Sequence, residues 1–148
     1  MANAQQREVL DHYLGLFNRL DTEGAIDLID PLICDTVEFS DPFTHIKGRL
    51  ALKQYLQHFI SQVSTPRFEI SHRAWDEDVC LVRWQFSGKL SGKRLWQFPG
   101  VSELRFAEDG RLLEHVDYWD SGKYFYRQLP VVGWLIRRIE SRLQPTER

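Results

Sequence analysis

Metal ligands and thiols are scarce in this chain of 148 residues. Cys34, at the end of a predicted helix, and Cys80, in a predicted strand, are the only thiols. With no Cys-x-x-Cys and no Cys/His cluster, neither a zinc site nor a disulfide framework is expected. His12, His45, His58 and His72 lack metal-ligand spacing and no His-Glu-x-x-His occurs, so no metal is expected. No glycine-rich phosphate loop and no Gly-x-Ser-x-Gly elbow is present, which argues against Rossmann, P-loop and α/β-hydrolase chemistry and leaves no cofactor to expect. Charge of one sign is lacking too: 19 Lys and Arg face 21 Asp and Glu, for a formal −2. Without a basic field there is no reason to expect nucleic acid as a partner. No run of 18 apolar residues occurs, and MANAQQREVL lacks the basic start and apolar run of a signal peptide, so the expected location is cytoplasmic.

What the chain has is aromatic surface, 13% of residues with five Trp, which must line a core or a pocket. The length suits one domain that buries roughly 70% of its unfolded surface. Apolar spacing predicts an amphipathic helix over residues 6–20, a short helix near 24–33 after the break at Asp21–Gly24, and a third helix over 49–63 opened by Gly48. Between the last two, Thr36–Phe43 reads as a short strand ending at Asp41-Pro42. After Pro66 the period falls to about two, with strands at 67–75, 79–87, 94–107 and 111–119. Their turns hold Asp76-Glu-Asp78, Ser87-Gly88 with Ser91-Gly92, and Glu108-Asp109-Gly110. Helices followed by antiparallel strands predict an α+β fold, a curved sheet with helices on its concave side and a conical cavity between them. The convex face of such a sheet needs a cover, so a homodimer is expected.

Four groups of residues carry candidate chemistry. Asp41, between Phe39 and Phe43, is either a carboxylate desolvated into a general base or a plain Asx-turn residue. His115, Asp117 and Trp119 share one face of the last strand with Leu113, opposite Leu112, Glu114, Val116 and Tyr118. His115 and Asp117 could form a proton-shuttling pair there, or a surface hydrogen bond. Trp84 with Phe86, Trp96 with Phe98, and Leu104 with Phe106 fall on shared strand faces as core or as pocket wall, and Ser102 brings a hydroxyl to that apolar face. Last, residues 124–143 form a basic amphipathic segment in which Trp134, Leu135, Ile136, Ile139 and Leu143 alternate with Arg137, Arg138 and Arg142. It either packs on its own domain or a dimer mate, or makes peripheral membrane contact.

The segments Leu20–Ile29, Thr36–Phe43 with Gly48, Leu104–Leu112 and His115–Trp119 resemble the nuclear transport factor 2-like superfamily, in particular its SnoaL-like polyketide cyclase and ketosteroid isomerase branch. The resemblance implies a cystatin-like cone, a curved antiparallel sheet wrapped around about three N-terminal helices, in residues 1–122. Residues 123–148 then form a C-terminal amphipathic helical extension without a counterpart in the minimal isomerase. It implies a pocket for a small hydrophobic ligand and cofactor-free isomerase, cyclase or dehydratase chemistry by carboxylate acid–base transfer; a non-catalytic binding module is the alternative. Asp41 stands at the isomerase base and Asp117, with His115 nearby, about where the cyclases place an acid/base Asp. Trp119 falls at a pocket aromatic. The isomerase oxyanion pair of a protonated Asp and a Tyr is not matched: Ser102 stands at the first position and Leu16 near the second, with Tyr13 one turn away. On this resemblance Ser102 or Tyr13 is the expected oxyanion donor, and Trp84 and Trp96 are expected in the pocket wall.

Overall fold

Helix α1 (Ala4–Phe17) starts on a reciprocal cap, in which the Asn3 side chain accepts from the Gln6 backbone and the Gln6 side chain from that of Asn3. Its stripe of Leu10, Tyr13 and Leu16 is buried. In this computed structural model, which describes residues 1–91 and 93–146, a 3-10 helix (Ile26–Leu32) follows and runs directly into strand β1 (Ile33–Ser40). Cys34 therefore lies in a strand rather than at a helix end. After a turn comes the three-residue β2 (His45–Lys47), then α2 (Arg49–Gln62). The remaining strands are β3 (Val63–Asp76), β4 (Val79–Leu90), β5 (Arg94–Phe106) and β6 (Leu112–Tyr118). Gly92, expected in the β4–β5 turn, lies outside the described residues.

The six strands form one sheet in the order β2-β1-β6-β5-β4-β3. Its pairs are antiparallel except β1 with β6, which run parallel. Strand β3 begins four residues earlier than the sequence pattern suggests, because Pro66 falls in a register shift between Ser64 and Arg67, where no ladder hydrogen bond is asked of it. Helices α1 and α2 and the 3-10 helix cover the concave face, and the core lies between them and the inward residues of the sheet.

Two local features set the site. The β5–β6 register slips between Arg105–Glu114 and Phe106–Leu112, which makes Leu113 a bulge residue. The alternation expected from Leu112 to Trp119 is broken there: Leu112, not Leu113, turns into the core with His115, and it is 0% exposed. On β5, Gly100 lies opposite Trp84, and a Cβ built at Gly100 would come within 2.3 Å of the indole ring. The missing side chain is what allows Trp84 to lie across β5.

Beyond β6 the chain forms the one-turn helix α3 (Ser121–Tyr124), a 3-10 turn (Tyr126–Gln128) and helix α4 (Pro130–Leu143). Trp96 Nε1 donates to the Tyr124 carbonyl at 2.9 Å and ties this tail across the open end of the cone. Among the described residues no helix is long and apolar enough to cross a membrane.

Candidate active site

Parallel pairing of β1 and β6 sets Phe39 beside His115 and Ser40 beside Val116. Asp41 follows the last residue of β1, and Asp117 follows the last β6 residue of that pairing. Both carboxylates line one cavity of about 420 Å³, which is bounded by α2, the sheet and Phe125 of the tail. Ten of its lining residues are Phe, Tyr or Trp, so its wall is largely apolar. Phe98 and Trp119 stack at 4.1 Å between ring centroids and make one flat stretch of wall. A second hollow of about 370 Å³ shares Leu90, Trp96 and Phe125 with the first and opens toward Arg94, Gln97 and Gln128.

Asp117 is held by a buried polar chain. Trp84 Nε1 donates to Ser102 Oγ at 2.9 Å, and the Ser102 hydroxyl donates to Asp117 Oδ1 at 2.5 Å. His115 Nε2 approaches the same oxygen at 2.6 Å, and its Nδ1 lies 2.6 Å from the Tyr13 hydroxyl. Burial and the Asp117 charge push the Tyr13 phenol well above its ordinary range, so it keeps its proton and donates it to Nδ1. These partners assign the ring hydrogen of His115 to Nε2, where it is donated to Asp117. Tyr13, Phe17 and Phe39 all meet the imidazole edge-to-face, which leaves His115 3% exposed. Asp117 Oδ2 takes no hydrogen bond from the described residues. The side chain is 17% exposed and lines the cavity.

Asp41 is both turn residue and cavity wall. Its Oδ1 accepts from Phe43 N at 2.8 Å, closing an Asx turn, and its Oδ2 accepts from the Tyr55 hydroxyl at 2.5 Å. Burial first, then the Asp41 charge, raises Tyr55 far above the ordinary phenol range, so at neutral pH it is a hydrogen-bond donor.

The geometry thus brings Asp41, Asp117, Trp84, Trp96 and Trp119 to one cavity. Tyr13 and Ser102 are placed otherwise than as free oxyanion donors. Tyr13 is fully buried and spends its proton on His115, and Ser102 spends its own on Asp117 inside a hollow of about 20 Å³. Tyr55, which in the sequence is part of the apolar stripe of its helix, brings a hydroxyl donor to the cavity wall. His58 and Gln62 line the cavity from the same helix face. The i, i+3, i+7 spacing of Tyr55, His58 and Gln62 was the available signal. Among the described residues no group of three His, Cys, Asp or Glu side chains is arranged to hold a metal ion.

Comparison with solved structures finds the same fold repeatedly. An NTF2-like protein of unknown function from Exiguobacterium sp. 255-15 superposes with a TM-score of 0.70 at 23% identity, over 76% of this chain and 98% of that one. A candidate SnoaL-like polyketide cyclase from Jannaschia sp. CCS1 gives 0.70 at 12% identity, over 83% and 92%. An LEH-like epoxide hydrolase from M. tuberculosis gives 0.69 at 18% identity, over 96% and 97%, so that match extends into the tail. At these identities the likeness is one of fold. No curated protein matches the sequence. The profile of the SnoaL-like domain matches residues 10–115, from α1 through the His115 of the buried polar chain, and the chain belongs to the SnoaL-like domain family.

Proposed function

We propose that this protein is a cofactor-free acid–base catalyst for a hydrophobic carbonyl compound, with isomerase-, cyclase- or dehydratase-type chemistry. The observation that carries this reading is Asp117, whose Oδ1 is fixed by Ser102 and His115 while Oδ2 is uncommitted beside an aromatic cavity. Asp117 Oδ2 takes a proton from the carbon next to the ligand carbonyl, and the C–H electron pair moves into an enolate. The Tyr55 hydroxyl turns from Asp41 to the enolate oxygen and donates a hydrogen bond to it. Protonated Asp117 then returns the proton at another carbon, and no redox partner is consumed. His115 and Ser102 are positioning residues, and the flat Phe98–Trp119 wall suits a planar or polycyclic ligand.

An ultraviolet assay of β,γ-unsaturated ketone conjugation, steroid and non-steroid, tests this. With a converted ketone in hand, Asp117→Asn is expected to lose about 10²–10⁴ in kcat, and Tyr55→Phe about 10²–10³. Asp41→Asn is expected to lose less than either. Full turnover by Asp117→Asn removes it as the base. Ketones that quench cavity tryptophan fluorescence yet are never converted would favour a ligand-binding module over an enzyme.

A further inference from the structure

The tail beyond β6 carries a face that its own domain leaves uncovered. Helix α4 rests on the Tyr126–Gln128 turn through Gly133, where a Cβ would lie 2.2 Å from the Arg127 carbonyl. Arg137 donates to that carbonyl at 2.9 Å, and Glu140 lies 3.5 Å from Arg127. On the far side, Val131, Leu135, Ile139 and Leu143 recur every fourth residue and form one stripe. Val131, Ile139 and Leu143 are 73%, 59% and 81% exposed. Beside that stripe runs a second, Trp134–Arg138–Arg142, with the Arg138 guanidinium over the Trp134 ring. Neither Arg138 nor Arg142 forms an ion pair among the described residues.

We propose that α4 docks in the interfacial layer of an anionic lipid bilayer, with the aliphatic stripe against the acyl boundary and Arg138 and Arg142 at the headgroups. Charge decides for lipid over a second copy of the chain. Residues 121–148 carry a formal +4, whereas residues 1–120 carry −6. An anionic surface attracts the tail and repels the acidic body, which fixes the orientation of docking. A second copy of α4 would bring like-charged arginines together. At 14 residues the helix spans about 21 Å, so it lies in the interface instead of crossing it. The inference is independent of the chemistry in the cavity.

The test is co-sedimentation of the full chain with phosphatidylcholine vesicles, with and without 30 mol% phosphatidylglycerol. Binding to the anionic vesicles, weakened in 0.5 M salt, is expected. Arg138→Gln with Arg142→Gln is expected to reduce the partition coefficient roughly 30-fold, and Leu135→Gln with Ile139→Gln to abolish binding. All four sites are exposed, so circular dichroism should show each double variant folded. A blue shift of emission on anionic vesicles that vanishes in Trp134→Phe supports burial of that ring. Absence of binding to anionic vesicles, equal binding to both lipids, or binding untouched by the arginine pair overturns the proposal. So does a dimer in solution that the Leu135/Ile139 variant dissociates, since a second copy would then cover the face.

Discussion

Raising the pH above 10 is predicted to destabilise this protein through its core rather than its surface. The ordinary phenol value for Tyr13 is 10.0, and burial followed by the Asp117 charge moves it well upward in the folded state. Below pH 10 the phenol is neutral in both states, and its raised affinity for the proton leaves stability unchanged with pH. Above pH 10 the unfolded chain releases this proton while the folded chain retains it, so stability falls as pH rises until the folded group also ionises. One such group removes about 1.4 kcal/mol by pH 11. Tyr55, raised for the same reason with Asp41 as its charged neighbour, removes a similar amount, about 2.8 kcal/mol for the pair. The decisive quantity is a difference between proteins, which cancels protons released by groups common to both. Urea unfolding followed by tryptophan fluorescence at pH 9 and pH 11 should show Tyr13→Phe losing about 1.4 kcal/mol less than wild type between the two. Absorbance at 295 nm, titrated under native conditions, should show Tyr13 and Tyr55 still protonated at pH 11. Equal pH slopes for the two proteins, or every tyrosine of the native chain ionising near pH 10, would refute the buried Tyr13–His115–Asp117 chain as described.

Three further outcomes follow from the same contacts. Ser102→Ala removes the acceptor of Trp84 Nε1 and a donor to Asp117, and should cost about 1–3 kcal/mol by urea unfolding, with a larger fall in kcat than rise in KM for any converted ligand. Gly100→Ala drives a methyl into the Trp84 ring and should cost about 1–3 kcal/mol with a changed near-ultraviolet dichroism of that indole; an unperturbed spectrum would contradict the close approach. Asn3→Ala removes the side-chain half of the α1 cap and should lower stability by about 1 kcal/mol without altering ligand binding, because that side chain hydrogen-bonds to the Gln6 amide and the Glu108 carbonyl, neither of which lines the cavity.

The helices and strands were legible in the sequence because their periods are clean. Leu10, Tyr13 and Leu16 recur at helical spacing, and Phe98, Gly100, Ser102, Leu104 and Phe106 all turn inward along β5. The bulge at Leu113 was not legible, since an extra residue in one strand is dictated by the register of its partner. The site was half legible. His115 and Asp117 stood out as a pair two residues apart on one strand, a relation fixed by local geometry. The contact between Tyr13 and His115 is not legible, because a place one turn from Leu16 says nothing about which side of His115 the phenol reaches. Tyr55 stayed hidden because an aromatic in an apolar stripe reads as core, and only the turn at Asp41 gives its hydroxyl a partner.

The parallel pairing of β1 and β6 has a consequence for where chemistry can sit. Both strands end at the same edge of the sheet, β1 passing into the Asp41–Thr44 turn and β6 into the tail. The two carboxylates line one cavity, and each is hydrogen-bonded from its own side. Asp41 is held by the Phe43 amide and Tyr55, and Asp117 by Ser102 and His115. The donors to Asp41 come from a turn and a helix that border the cavity, so a ligand oxygen can compete for Tyr55. Those of Asp117 come from the core, with His115 3% and Ser102 5% exposed, so no ligand reaches them. In the proposed reaction this asymmetry gives chemically identical groups different tasks: the carboxylate with the rigid interior support takes and returns the proton, and the one at the turn releases its phenol to the ligand.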